Sequence, residues 1–555
     1  MSEIIRIGIV ISDKKLPAWQ YSTVEKLTRS KCVSIEMLII LDHPIPDKKL
    51  ITPDLPGIIH RFHEKVDLLI FHKKRNYSEP IDISNLLADI PEFRITDADS
   101  ISEISEINKA GISNPDLIVM FTMDKIPPGI REIAGLGVLS YPMSEKDRSG
   151  MFTAGFQEVI RRMPVTLSTL VMNIEGVSEG KIIASTFEPT CRYSVNLTRN
   201  RIFWRSSLFM QRVIENLSRN GMNYIERLVK KNEKVSDNRH EPLPEPSVTS
   251  AIKDLAVAFK IAFLQAVKKM VYSDAFNWVI YYKISDSIQL NPDSFKSFKK
   301  LRPGKDRFWA DPFVIEKEGK YYVFVEEFIY SRNKGHIAVL ELDSSGNLQT
   351  SSVIIDMPYH MSYPFVFKTD GTYYMIPETL DNMTIDLYRC TDFPYKWEYV
   401  KCIMDGISAA DTSVIFHNGR WWLFTAIDET DGRSGCDTEL YLYYANDILA
   451  PQWTPHPENP VISDVRKSRP AGRVFINENI MYRPSQDCSI RYGSAFNLNR
   501  ILSLDEERYQ EELVYRIEPE WDRDLRGAHT FNYDGGMTVI DGYYMRRRPL
   551  FKAFL

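Results

Sequence analysis

Ala310-Asp-Pro-Phe-Val-Ile-Glu-Lys-Glu-Gly-Lys-Tyr-Tyr-Val-Phe324 decides the fold of the larger part of this chain. It reads as a strand, a glycine turn and a second strand, with aromatic and β-branched residues throughout. The same phrase returns as Tyr363-Pro-Phe-Val-Phe-Lys-Thr-Asp-Gly-Thr-Tyr-Tyr-Met-Ile and as Ala410-Asp-Thr-Ser-Val-Ile-Phe-His-Asn-Gly-Arg-Trp-Trp-Leu-Phe. A weaker copy is Arg469-Pro-Ala-Gly-Arg-Val-Phe-Ile-Asn-Glu-Asn-Ile-Met-Tyr, and the last is His529-Thr-Phe-Asn-Tyr-Asp-Gly-Gly-Met-Thr-Val-Ile. A spacing of roughly 50 residues suits one four-stranded propeller blade. Five copies predict a five-bladed β-propeller over 276–555, closed by a strand at Asn277–Ile284.

Upstream the texture differs. Ile4–Ile11, Ser34–Leu41, Val66–Phe71 and Asp116–Phe121 read as buried strands separated by helix-length segments, which predicts a parallel α/β sheet over residues 1–230. Residues 231–275 hold Pro242, Pro244 and Pro246 among charges, the mark of a linker, and then a helical stripe over 251–272. Ile252, Leu255, Phe259, Phe263, Ala266 and Met270 form that stripe, with four lysines against one aspartate. Two readings stay open for it: a helix packed between domains, and peripheral contact with an anionic membrane surface.

Composition narrows the function. The 555 residues carry 69 Lys and Arg against 74 Asp and Glu, a net charge of −5, which argues against nucleic acid as partner. The six cysteines, at 32, 191, 390, 402, 436 and 488, form neither a C-x-x-C pair nor zinc-ligand spacing, so no metal is expected. The N-terminus reads as a strand, without a signal peptide, and no stretch of 18 apolar residues occurs. The expectation is a cytoplasmic protein, peripheral at the inner membrane face if the 251–272 helix binds lipid.

In a propeller the innermost strand of each blade lines a central channel. If each repeat opens that strand, Asp311, Tyr363, Asp411, Ser468 or Arg469, and His529 face a common axis. Two carboxylates there are costly to bury unpaired, so they serve either a site or hydrogen bonds between blades.

This ordered set resembles the five-bladed glycoside hydrolase clan of arabinanases, β-xylosidases, invertases and levansucrases. Asp311-Pro312 opens blade one, Tyr363-Pro-Phe-Val blade two, Asp411-Thr-Ser-Val blade three, and His529 lies in blade five. Where that clan carries its acid in Glu-Gly-Pro, this chain has Ser468-Arg469-Pro470. A hydrolase needs a proton for the leaving oxygen, and Glu326, Glu327, Glu378 or Asp487 would have to supply it. A nucleotide-sugar donor would not need the acid, because its phosphate leaves as an anion. One carboxylate base and cations such as Arg469, Arg473 and Arg483 would then suffice. Interblade ion pairs are the plain alternative for these arginines.

The region resembles more closely the N-terminal domain of plant glucosamine inositolphosphorylceramide transferases. The shared stretches are Trp309-Ala-Asp-Pro-Phe, Ser362-Tyr-Pro-Phe-Val-Phe, Asp411-Thr-Ser, Tyr482-Arg-Pro-Ser-Gln-Asp and His529-Thr. In those proteins a separate glycosyltransferase domain follows, and none is read here up to Leu555. The resemblance implies a glycan or glycolipid context.

Residues 110–185 resemble the formyltransferase fold through Asn114-Pro-Asp-Leu-Ile-Val-Met-Phe, Gly137-Val-Leu-Ser-Tyr-Pro and Glu175-Gly-Val-Ser-Glu-Gly-Lys-Ile-Ile. That family uses Asn, His and Asp. The matching positions here are near Ser140, Pro142 and Ser178, so this domain is expected to be catalytically degenerate, with folate unlikely as cofactor. His60 and His63 read as surface histidines rather than metal ligands.

Four readings follow: sugar transfer in glycan or glycolipid assembly, glycoside hydrolysis, a carbohydrate-binding scaffold, and a formyltransferase acting on an amino sugar. The missing acid favours the first over the second, and the missing Asn-His-Asp set argues against the fourth. The expected catalytic residues are Asp311 as base, Asp411 and Glu327. The expected substrate-binding residues are Trp309, whose ring could stack on a sugar, Tyr363, Arg469, Arg483, Asp487 and His529.

Overall fold

A computed structural model divides the chain into two compact units, Met1–Leu264 and Gln265–Leu555. It describes residues 3–41, 55–71, 76–95, 114–121, 126, 128–141, 155–174, 180–237, 249, 252–253, 256–257, 259–261, 263–264, 267 and 272–549.

In the first unit, seven strands lie in the order Glu92–Ile95, Val33–Leu41, Ile5–Ile11, Leu117–Met120, Gly137–Ser140, Val165–Asn173, Lys181–Pro189. The first five are parallel and the last two antiparallel. The parallel part is the expected α/β sheet, and its order reverses between Ile5–Ile11 and Leu117–Met120 as in doubly wound sheets. Val66–Phe71, read above as a strand, instead ends the helix Leu55–Ile70. His63 and Asp67, four apart, are its buried positions while Leu68, Leu69 and Ile70 are exposed, a helical period rather than a strand's alternation. His63 is therefore not a surface histidine: its ring packs on Phe156, 6.0 Å away. Ser140 ends its strand and accepts from Asn173 Nδ2 at 3.2 Å. Pro142 and Ser178 lie outside the described residues, as does the side chain of His60. The helix Met222–Asp237 runs past the expected boundary at 230, and described positions between 252 and 264 are helical.

The second unit is a five-bladed propeller. Blades one and two are Arg307–Lys317, Lys320–Ile329, Lys334–Leu342, Leu348–Ile355 and Ser362–Thr369, Thr372–Thr379, Thr384–Asp392, Lys396–Asp405. Blade three starts at Ala409–His417 and Arg420–Ile427, and blade four at Phe475–Asn477 and Ile480–Asp487. Blade five joins Phe531–Asp534 and Met537–Pro549 to the chain-early strand Tyr272–Ile284, paired from Tyr272↔Pro549 to Ile284↔Met537. This closes the ring from its N-terminal side, as expected from Asn277–Ile284 but five residues earlier, and leaves no open edge at the seam.

The repeat has a local cause. Each blade's opening hairpin turns on two residues with positive φ: Glu318-Gly319, Asp370-Gly371, Asn418-Gly419, Glu478-Asn479 and Gly535-Gly536. That is the backbone a two-residue hairpin of type I′ needs, and Gly, Asn and Asp reach it at least cost.

Candidate functional site at the propeller axis

Three of the opening strands carry the same irregularity. The ladder breaks between Ala310 and Phe313, between Ser362 and Phe365, and between Ala410 and Ser413. Inside each break sits a non-glycine residue with left-handed backbone: Asp311 at φ 51°, Tyr363 at 43° and Asp411 at 52°. Such a conformation costs about 1–3 kcal/mol each and persists only where the surroundings hold it. A bulge re-aims a side chain, and here two of the three aim a carboxylate at the axis.

The amide of each bulge is held by a carboxylate. Asp311 N donates to Asp541 Oδ2 (3.1 Å), Tyr363 N to Asp311 Oδ2 (3.2 Å) and Asp411 N to Glu378 Oε2 (3.1 Å). The donor's blade follows the acceptor's in each case, so these carboxylates link the blades around the axis.

Asp311 also accepts from Thr530 Oγ1 (3.0 Å) and faces His529 Nε2 at 3.4 Å. His529 Nδ1 lies 2.6 Å from Asp541 Oδ2, and its ring stacks on Trp278 at 4.0 Å. Burial works against the charged imidazole, but Asp541 and Asp311 outweigh it and raise its pKa. Asp311, His529 and Asp541 place one ligand atom each within 4.8 Å, a spacing that suits a cation. In this arrangement the imidazole itself stands between the two carboxylates, one ring nitrogen facing each.

On the other side Arg469 holds three carboxylates: Asp411 through Nε (2.6 Å), Asp437 through Nη1 (3.1 Å) and Glu378 through Nη2 (3.2 Å). Its guanidinium lies 4.9 Å from the ring centre of Tyr492, and Gln486 Nε2 donates to Asp411 at 2.6 Å. Burial pushes Asp311 up to about 6, against the pull of His529. It pushes Asp411 up to about 7, against Arg469. Glu326 is driven well above the usual carboxylate range by burial, reinforced by Asp311, Glu378, Asp541 and Asp411. The axis therefore holds carboxyls whose pKa values are all raised but to different extents, the kind of split environment that separates an acid from a base.

The structure pairs Asp311 with His529 and Asp411 with Arg469, and the two aspartates and His529 are nearly fully buried, with Asp311 3% exposed. The other expected residues lie elsewhere. Glu327 faces the opposite side of its strand, where it accepts from Arg307 Nη1 (2.8 Å) and Trp309 Nε1 (2.9 Å) and meets His336 Nε2 at 3.2 Å. Trp309 is thus a core residue, 4% exposed, with no face for a sugar. Tyr363 directs its hydroxyl into the interior, bonded with Ser413 Oγ (2.9 Å) and accepting from Gly472 N (2.6 Å). Arg483 is buried on Glu511 (2.7 Å) and Asp487 is tied to Ser489 and Arg516. Arg473 donates to Val366 O, and Ser468 Oγ to Thr438 O. The residues that sequence reasoning missed are Asp541, Thr530, Asp437, Tyr492, Trp278 and Gln486. Gln486 lay within the quoted Tyr482-Arg-Pro-Ser-Gln-Asp stretch. For Asp541, outside every quoted motif, no sequence signal existed.

Residues 301–532 match the family model described as glucosamine inositolphosphorylceramide transferase 1, N-terminal. The chain is 37% identical over 207 residues to glucosamine inositolphosphorylceramide transferase 1 of Oryza sativa subsp. japonica, covering 37% of this chain and 27% of the relative. It is 31% identical over 215 residues to the protein of that name in Arabidopsis thaliana, covering 38% and 28%. The chain thus spans little more than a quarter of the length of these relatives. Among solved structures, the α-L-arabinofuranosidase PaAbf62A of Podospora anserina aligns with TM-score 0.34 and 13% identity, over 45% of this chain and 94% of that one. The matched stretch contains Asp311, Glu326, Glu378, Asp411, Arg469 and His529. The propeller of this chain is similar, over residues 301–532, to the N-terminal domain of glucosamine inositolphosphorylceramide transferases.

Proposed function

We propose that the propeller is a carbohydrate-active module of glycan or glycolipid assembly that transfers a sugar at its axis. One observation carries this reading: the axial acid and base lie inside the stretch matched to the N-terminal domain of transferases named for glucosamine and inositolphosphorylceramide. Glu326 gives its proton to the leaving oxygen as the glycosidic bond breaks. Asp311 takes the proton of the acceptor hydroxyl as that oxygen bonds to the anomeric carbon. The donor favoured is a glycoside rather than a nucleotide sugar, because Arg469, Arg473 and Arg483, expected to hold phosphates, are each engaged within the protein. The first unit is proposed to keep a formyltransferase-like sheet without that chemistry.

Peripheral contact with an anionic membrane belongs to the same reading. Ile252, Phe263 and Leu264 are exposed on a helical segment that also carries Lys253 and Lys260. Among the described residues no helix is long and apolar enough to cross a membrane. A cytoplasmic, inner-face location is proposed with it.

A second reading, binding without turnover, is favoured by the engagement of both Asp311 oxygens by neighbouring blades. Mass spectrometry of glycoside donors mixed with inositol- and ceramide-bearing acceptors decides between them. Transfer that falls at least ~10²-fold in Asp311→Asn, with folding kept, supports catalysis. Saturable sugar binding without product in either protein selects the binding module.

A further inference from the structure

We infer that His360 is the positioning residue of Glu326: a neutral imidazole whose one ring proton, on Nε2, faces Glu326 Oε1 and steadies that carboxylate once it has given up its own proton. The inference rests on the acid role proposed for Glu326. Gly335 N donates to His360 Nδ1 at 3.0 Å. An imidazole nitrogen that accepts carries no proton, so the remaining proton sits on Nε2. Nε2 lies 3.4 Å from Glu326 Oε1, and the two side chains are 34% and 9% exposed. The backbone of His360 is itself tied by its amide to Asp381 Oδ2 (3.4 Å).

The gap between the pair is kept by the absence of a side chain. A Cβ at Gly335 would come within 2.7 Å of both Glu326 Oε1 and His360 Cε1. Only glycine lets the strand Lys334–Leu342 pass this close.

The chemistry needs such a donor. Glu326 is faced by Asp311, Glu378, Asp411 and Asp541, all of which oppose its charged form. Once Glu326 has given up its proton, the carboxylate left behind must be steadied, and a hydrogen bond to the charged form does that. His360 is faced by Asp381, Asp311 and Lys334, and its own burial lowers its pKa, so it stays neutral and donates rather than competes for the proton. Because Nδ1 is occupied by a backbone amide, His360 cannot take up a second proton without breaking that bond. It positions the acid and is not itself the acid.

The test uses the full chain and does not require turnover. Isotope-edited infrared spectroscopy of glutamate-labelled protein follows the neutral carboxyl band that Glu326→Gln abolishes, across pH. His360→Phe should raise the midpoint of that band by roughly one pH unit, the worth of a hydrogen bond to a charged group. His360→Gln, which keeps an N–H donor, should return most of the shift. Nitrogen-15 spectra of histidine-labelled protein should show His360 protonated on Nε2 alone at neutral pH. In a transfer assay His360→Phe should lower kcat ~10-fold with KM within about twofold, and move the high-pH limb upward with the infrared midpoint. An unchanged midpoint in His360→Phe, or a His360 protonated on Nδ1, overturns the inference. If His360→Phe does not fold, the nitrogen-15 tautomer decides. If no donor gives turnover, the proposed function falls while the infrared midpoints still settle the role of His360.

Discussion

Glu326 and Glu327 are consecutive on the strand Lys320–Ile329 and face opposite ways, each toward a histidine. Glu327 meets His336 with Arg307 and Trp309 completing its shell, and although burial opposes it, these partners hold its pKa below the usual range. Glu326 meets His360, and burial together with like charges drives its pKa well above the usual carboxylate range. One removes a structural ion and the other a reacting group, so the two isosteric substitutions should separate. Glu327→Gln should cost about 2–3 kcal/mol of propeller stability, since it leaves buried donors without their counter-charge, and should preserve transfer. Glu326→Gln should leave stability within about 0.5 kcal/mol at pH 7 and abolish transfer. Chemical denaturation of both variants beside the transfer assay checks this, and the opposite pattern would exchange their roles.

The raised carboxyls also set how stability depends on pH. Asp311 and Asp411 titrate at about 6 and about 7 in the folded protein, above the ordinary carboxylate value. The folded state therefore binds more protons than the unfolded state between about pH 4 and pH 7. Their contribution is fully present below the unfolded value and is lost as pH rises through 6 to 7. His529, also raised, acts in the same direction. The propeller's unfolding temperature should thus be higher at pH 5.5 than at pH 8. Asp411→Asn should flatten that slope, because an amide has no proton to lose. Calorimetry at the two pH values measures it, and a higher midpoint at pH 8 would contradict the assignment.

The hairpins were legible because turn chemistry is local. Glu318-Gly319, Asp370-Gly371 and Asn418-Gly419 announce positive φ in their residue types, and the apolar alternation on either side supplies the strands. The axial aspartates were legible because they occupy equivalent places in the copies. The partners of those aspartates were not. Trp309 lies two residues from Asp311, yet the bulge turns one into the core and the other to the axis. Nothing in a linear pattern states that a ladder will slip between Ala310 and Phe313. Arg469 and Arg483 look alike in sequence, but only the first has three axial carboxylates within reach. In the first unit, Val66–Phe71 misled because a short apolar run suits a buried strand and a helix equally.

Tyr363 tests the distinction between axial and structural positions. Its hydroxyl accepts from Gly472 N and bonds with Ser413 Oγ, linking blade two to blades three and four. Tyr363→Phe leaves the Gly472 amide without its acceptor and should cost about 1–3 kcal/mol. Sugar affinity should be unchanged, because the hydroxyl points into the interior. A loss of affinity with stability intact would restore Tyr363 to the binding site.

Arg469 should be the costliest single residue at the axis, and its cost should depend on pH. One guanidinium neutralises parts of Glu378, Asp411 and Asp437, and burial alone would disfavour its charge were these carboxylates not beside it. Arg469→Met removes the cation and keeps much of the volume. At pH 8 the folded variant must hold Asp411 either ionised without its guanidinium or protonated at a cost, and breaking a buried pair in this way costs about 3–5 kcal/mol. The pKa of Asp411 rises further in the variant, so at pH 5.5 it is protonated in the folded state and the repulsion is relieved. The loss in unfolding temperature relative to wild type should accordingly be larger at pH 8 than at pH 5.5. Arg469→Lys should rescue little, because an ammonium lacks the planar fork that reaches three carboxylates at once. Calorimetry of both variants at the two pH values decides the matter: a loss independent of pH would mean that Arg469 acts through packing on Tyr492 and not through the charges it holds.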